Sequence, residues 1–193
     1  MNTSSLNPEK NVQGFSLIAA PLLLFASSFF WSNGEYSVPS ATLLILSMFF
    51  WIPALTGLFQ LVKIKMPGYA AYGLWIAVFG CISGVCFSFL GYLISVFNIQ
   101  HQTYLQELSK YPFTSQLLLF SSGPLFPLSI LILGIVLAIK KLIPAWQAIL
   151  LAFAGIAFPL SRVPRIEWIA HVADILFFIP CFFIALRFFK KSA

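Results

Sequence analysis

Charge is what this sequence has least of. Asp, Glu, Lys and Arg together make up 8% of its 193 residues, the acids number five and the histidines two, where a water-soluble domain carries about 25% charge. A soluble globular domain is thereby excluded. Motifs that carry chemistry are missing too. The chain has no glycine-rich phosphate loop, no metal-ligand cluster and no lysine inside an apolar run. Nucleotide-dependent, metal-dependent and Schiff-base chemistry therefore lack their usual supports, and no cofactor is expected. The net charge of +6 comes from lysines and arginines standing singly or in pairs between apolar runs, which gives no continuous basic face for nucleic acid. Cys81, Cys86 and Cys181 fall inside apolar segments without C-x-x-C spacing and read as packing residues.

What is abundant is apolar surface: 60% of the residues are hydrophobic and the mean hydropathy is +0.95. Such a chain is expected to be an all-α polytopic membrane protein. Spans of about 20 residues fit six times: residues 15–31, 41–62, 73–98, 116–139, 144–160 and 164–189, preceded by a flexible tail over 1–14. Asn33-Gly34 with Pro39, and Met66-Pro67-Gly68, mark turns. Pro53 is expected to kink the second span, and Gly80 and Gly84 have the G-x-x-x-G spacing of a helix contact. Ser121-Ser122-Gly123-Pro124 and Pro127 predict an irregular outer part of the fourth span. The polar stretch 99–115 places Leu105, Leu108 and Tyr111 at helix-like intervals, as in an interfacial helix.

Cation distribution orients this layout. Lys10, Lys63, Lys65, Lys140, Lys141, Arg187, Lys190 and Lys191 fall on one side, and Lys110, Arg162 and Arg165 on the other. Eight against three predicts cytoplasmic termini by the positive-inside rule, in the plasma membrane.

The scarce polar groups gather in Ser161–Asp174. Glu167, His171 and Asp174 are spaced by four and three residues, on one helix face that continues through Phe178 and Cys181. Asp174 stands out, because a carboxylate at that depth costs at least ~2.5 kcal/mol unless partnered, hydrated or protonated. Glu167 suits the positive end of its helix, and Arg162 and Arg165 sit at the interface, where long side chains snorkel. Groups at matching depth that can meet Asp174 are Ser47, Ser88, Tyr92, Ser121 and Ser122. Polar side chains thus concentrate in the outer half, which predicts a cavity open to the outside above an apolar inner half. The candidate ligand-binding residues are Asp174, His171, Arg165, Arg162, Glu167, Ser122 and Tyr92; no catalytic residue is assigned.

Two resemblances bear on function. Ser121-Ser122-Gly123 in the fourth span and Ala170-His171 in the sixth resemble the serine and histidine of rhomboid intramembrane proteases, implying a nucleophile and base pair. The pattern departs from that family at Phe120, which replaces the first glycine of G-x-S-G, and at Asp174, where a small residue usually stands. In size and span number the chain is similar to the substrate-binding membrane subunits of energy-coupling-factor vitamin transporters, without their alanine motif in the first span. A haem between His101 and His171 has only two histidines in loops or first turns to support it. The leading expectation is a membrane protein that binds or transports a small polar or amphiphilic solute through an outward-facing pocket. The alternatives are a hydrolase acting at the outer leaflet and a non-catalytic partner of another membrane protein, or a homo-oligomer.

Overall fold

The computed structural model describes residues 8–32 and 34–189. Residues 1–7, Asn33 and residues 190–193, with Lys190 and Lys191 among them, and the side chains of Ser32 and His101 lie outside the described residues. Six helices are long and apolar enough to cross a membrane, and the protein is a multi-pass all-α membrane protein.

The elements in chain order are α1 (Pro8–Ser28), the two-residue strands β1 (Trp31–Ser32) and β2 (Glu35–Tyr36), α2 (Val38–Lys63), α3 (Pro67–Val96), α4 (His101–Ser109) and α5 (Pro112–Ser115). A π-helical turn (Gln116–Phe120), α6 (Leu125–Ile139), α7 (Ala145–Arg162) and α8 (Glu167–Phe189) complete the chain. Sequence-coded stops and starts set these bounds. The Ser37 hydroxyl accepts from the Ser40 amide and Pro39 follows in the first turn of α2, an N-cap with a proline where its missing N–H costs nothing. Pro67 opens α3 and Pro112 opens α5 in the first turn as well, there without a capping side chain. The fourth span is continuous in length but broken internally: α5, the π turn and a turn at 121–124 precede α6, in the irregular outer part that its glycine and prolines predict.

Two boundaries differ from the sequence reading. The expected tail is already helical from Pro8, because its polar side chains are satisfied by neighbours: Glu9 Oε1 accepts from Gln13 Nε2 at 3.0 Å and from Gln60 Nε2 of α2. The sixth span begins at Glu167 rather than Pro164, since Arg165 takes a left-handed φ of 56° that no helix continues through. Asp174 is therefore about 10 Å along its helix, at ~1.5 Å per residue.

The six spanning helices form a closed ring: α1 packs on α2, α2 on α3, α3 on α6, α6 on α7, α7 on α8, and α8 back on α1. Close backbone approach holds the second half together. A Cβ on Gly134 would meet the Ala152 amide at 2.7 Å, and one on Gly155 would meet the Pro127 carbonyl and the Leu131 amide at 2.7 Å, so both crossings of α6 and α7 require glycine. Gly80 touches the backbone of α6 at Phe126, whereas Gly84 faces the Met48 side chain of α2; the G-x-x-x-G pair serves two neighbours.

Aromatic side chains fill the middle of the ring. Trp51 of α2 packs edge-on to Phe126 of α6 and Phe177 of α8, at 5.2 and 5.3 Å between centroids, and Phe158 of α7 completes the cluster. Such edge-on pairs add about 0.5–1.5 kcal/mol each beyond burial. Outward-facing positions are also apolar, among them Phe49, Trp75, Ile132 and Phe153, as a lipid-facing surface demands. Alternation of the spans places the hairpin, α4 with α5, and the α7–α8 turn at one end of the ring. The turns after α2 and α6 lie at the other, where Lys65 Nζ donates to the Lys140 carbonyl and Arg187 to that of Leu142.

Candidate functional site

Polar groups meet at the hairpin end of the ring. Arg162 ends α7, where a cation suits the negative end of the helix. The turn at 163–166 reverses the chain so that α8 brings Asp174 back to it: Arg162 Nη2 donates to Asp174 Oδ1 at 2.8 Å and Oδ2 at 3.1 Å. Both side chains are buried, with relative exposures of 8% and 0%. Ser28, at the end of α1, donates from Oγ to Asp174 Oδ2 at 3.0 Å and lies 3.0 Å from His171 Nδ1. A hydroxyl has one proton. With that proton shared between Asp174 and the Phe25 carbonyl, the Ser28 oxygen is left to accept, and His171 Nδ1 is the donor. The His171 ring stacks on Phe29 with centroids 4.3 Å apart.

The guanidinium of Arg162 is held from several sides. Nη1 donates to Ser161 Oγ at 3.1 Å, and the rings of Phe158 and Trp31 lie 5.0 and 5.3 Å from its carbon. Its Nε is buried without a protein partner, as is Trp31 Nε1. A buried donor left unmade costs about 1–3 kcal/mol, so both mark a place where the chain's own groups do not complete the hydrogen bonding.

A second, more open pair lies beside the first. Arg165 forms an ion pair with Glu35 of β2, whose side chain is 47% exposed, and donates to the Gly34 carbonyl at 3.2 Å. Gly34 itself needs its positive φ of 75°. The Arg165 guanidinium lies 5.9 Å from the Tyr36 ring, and Tyr104 of α4 lines both cavities with it. Burial pushes the Tyr36 phenol above its ordinary value, and Arg162 and Arg165 only partly oppose this. Tyr104 is likewise raised by burial, with Arg165 opposing.

Between these pairs and the aromatic core lies a cavity of about 550 Å³. Leu44 and Met48 of α2, Phe87 of α3, and Pro124 and Pro127 at the start of α6 form its largely apolar wall. Arg162, Arg165 and Glu35 stand at its polar end. A neighbouring cavity of about 370 Å³ shares Glu35, Tyr36, Phe87, Tyr104 and Arg165 with it. Both volumes fall within the ~300–1,000 Å³ of small-molecule sites. No protein family, curated protein or solved structure matches this chain.

The fold brings some of the expected residues together and leaves others apart. Asp174, His171 and Arg162 come together in one network, and Arg162 and Arg165 line the larger cavity. Glu167 is exposed at the first turn of α8, outside the network, and the inward stripe starts only at His171. Tyr92 stacks on Phe89 at 6.0 Å and lines neither cavity. Ser122 donates to Ser83 Oγ at 2.7 Å, and Ser83 in turn to the Leu118 carbonyl.

The hydrolytic pair read from Ser122 and His171 is not formed: each is bonded to a different helix, α3 for Ser122 and α1 for His171. Ser28, which does reach His171, lines neither cavity. None of the serines expected to meet Asp174 does so. Ser47 donates to the Ala20 carbonyl, Ser88 to that of Gly84, and Ser121 accepts from Gln116. Among the described residues no three His, Cys, Asp or Glu side chains group as metal ligands. Ser28, Glu35, Tyr36 and Tyr104 are the site residues that sequence reasoning did not name.

Proposed function

We propose that this membrane protein binds, and carries across the bilayer, a small polar or amphiphilic solute taken into the cavity at the hairpin end of the ring. One observation carries the reading. A drug-sized space between the halves of the helices that bear the polar groups has paired charges at one end and a closed aromatic core beneath it. Membrane chains keep buried ionisable groups at solute and ion pathways, because such groups are costly elsewhere. The Arg162–Asp174 pair gives a partially satisfied head-binding end, and the apolar wall receives the rest of the solute. With the cation bias of eight against three, the termini are cytoplasmic and the cavity faces outward in the plasma membrane.

The test uses the full chain in sealed vesicles, with Phe87→Cys introduced in a Cys86→Ser background. A water-soluble thiol reagent added outside is expected to modify Cys at that position. Adding the Leu119→Trp substitution, which fills the cavity wall, is expected to slow the modification at least severalfold. An inert cysteine, or one that reacts only from the inside, overturns the outward cavity.

A further inference from the structure

The two charge pairs at the polar end differ in a way that narrows the solute class. Arg162 and Asp174 are both buried and bonded to Ser161 and Ser28, so their removal from each other leaves two charges in an apolar setting. Glu35 is different: it sits on a two-residue strand, is half exposed, and lies on Arg165 at the rim that both cavities share. A carboxylate of the chain itself thus occupies the position beside Arg165. Any ligand that puts an acidic group there meets a guanidinium already oriented by the Gly34 carbonyl. Exposed ion pairs contribute little to folding, so this one is exchangeable, while a carboxylate or phosphate gains charge-assisted bonds from a positioned arginine.

The charges at the cavity's polar end point the same way: two guanidiniums, Arg162 and Arg165, line it against the one carboxylate of Glu35. An acceptor-rich head fits that excess of donors and an ammonium does not. From the rim the cavity continues between α2, α3 and the start of α6 past Leu44, Met48, Leu119 and Pro127, with no further charged side chain on its wall. A head without a tail would leave most of that wall uncovered.

Resting on the solute-binding reading above, we infer that the ligand is a single-chain anionic amphiphile. Its acidic head lies against Arg165 within reach of Arg162, its chain lies along α3 and α6, and Glu35 is an internal competitor for the head position. Glu35 has to swing out as the head enters, and the hairpin that carries it is the movable part.

The experiment holds the Phe87→Cys, Cys86→Ser chain in nanodiscs of zwitterionic diacyl lipid at mildly alkaline pH and follows protection of the cysteine from a soluble thiol reagent. The probes are laurate, dodecanol, dodecyltrimethylammonium and butyrate. Laurate is expected to protect saturably and the other three at least tenfold less well. Glu35→Gln should strengthen laurate protection severalfold, and Arg165→Gln should weaken it about tenfold or more, since a hydrogen bond to a charged group is worth that much in affinity. Equal protection by dodecanol shows that charge is not read. Strongest protection by the ammonium assigns the site to Glu35, and protection by butyrate as good as by laurate removes the chain from recognition. Each of these three overturns the anionic amphiphile and leaves the cavity reading standing. Protection by none of the four, with the cysteine still reactive, overturns the amphiphile class alone. A cysteine that never reacts removes the cavity reading and this inference with it.

Discussion

Arg162 and Asp174 are twelve positions apart in sequence and 2.8 Å apart in space, each the last or an early side chain of a helix that crosses the membrane in the opposite direction. The turn between those helices is therefore also a clamp. A buried pair of this kind stabilises little relative to apolar residues of equal volume, yet breaking it leaves a lone charge and costs about 3–5 kcal/mol.

Asp174→Asn should accordingly destabilise the folded chain by roughly that amount, and Arg162→Met by a similar amount. The double change Arg162→Met with Asp174→Leu should recover most of the loss. Thermal unfolding of the purified variants in detergent reads the pattern; additive losses in the double variant would contradict the clamp.

His171 joins the pair only through Ser28, while its ring is held by Phe29. His171→Phe keeps the stacking and gives up one hydrogen bond, so a loss of about 0.5–1.5 kcal/mol is expected. Ser28→Ala removes a partner from Asp174 and from His171 together, and a loss of about 1–3 kcal/mol follows. The ranking, with Ser28→Ala the worse of the two, is read in the same unfolding assay. The losses on Ser28→Ala and His171→Phe should be the same in a Ser122→Ala background, because Ser122 is bonded to Ser83 outside the network.

Gly134→Leu and Gly155→Leu test the ring. The side chain would start 2.7 Å from backbone atoms of the facing helix, which a rotamer change does not relieve. Loss of more than ~3 kcal/mol, or failure to accumulate in the membrane, is expected for each. Unchanged yield and melting temperature would show that α6 and α7 do not approach this closely.

Alkaline pH should weaken the hairpin end. The phenol of Tyr36 is raised by burial in the folded state, so above the ordinary tyrosine range of about 10 the unfolded chain ionises while the folded chain keeps the proton. Linkage then lowers stability as pH rises through that range. Tyr36→Phe should remove part of this alkaline loss, and the slope of melting temperature against pH in the two proteins measures it. Identical slopes would contradict the burial of Tyr36.

Much of the fold was legible in the chain, because hydropathy and punctuation by proline, glycine and lysine act locally. Lysines end the second and fourth spans, and Pro67 and Pro112 open helices wherever their missing N–H is harmless. The site was legible only in part. Asp174 and His171 announce themselves as costly residues in an apolar run, and helical spacing puts them on one face. Their partner Ser28 does not, since its selection depends on α8 closing the ring against α1, which no local pattern encodes. Depth alone pointed to Ser47 and Ser88, but serines in helices satisfy themselves on the backbone, as Ser88 does on Gly84 and Ser47 on its neighbour helix. Glu35 follows directly on the turn that Asn33-Gly34 marks, and nothing local singles it out. Its role depends on Arg165 arriving from a segment 130 positions later, in a left-handed turn that arginine seldom occupies.

Function in this protein rests on the 550 Å³ cavity being a binding site. An experimental density map of the full chain in zwitterionic nanodiscs, recorded with and without laurate, tests it most directly. The predicted result is elongated density along α3 and α6 that appears with laurate, ends at Arg165, and is accompanied by movement of the Glu35 side chain. A cavity filled by the chain's own side chains in both maps, or laurate density only on the outer surface of the ring, would contradict it.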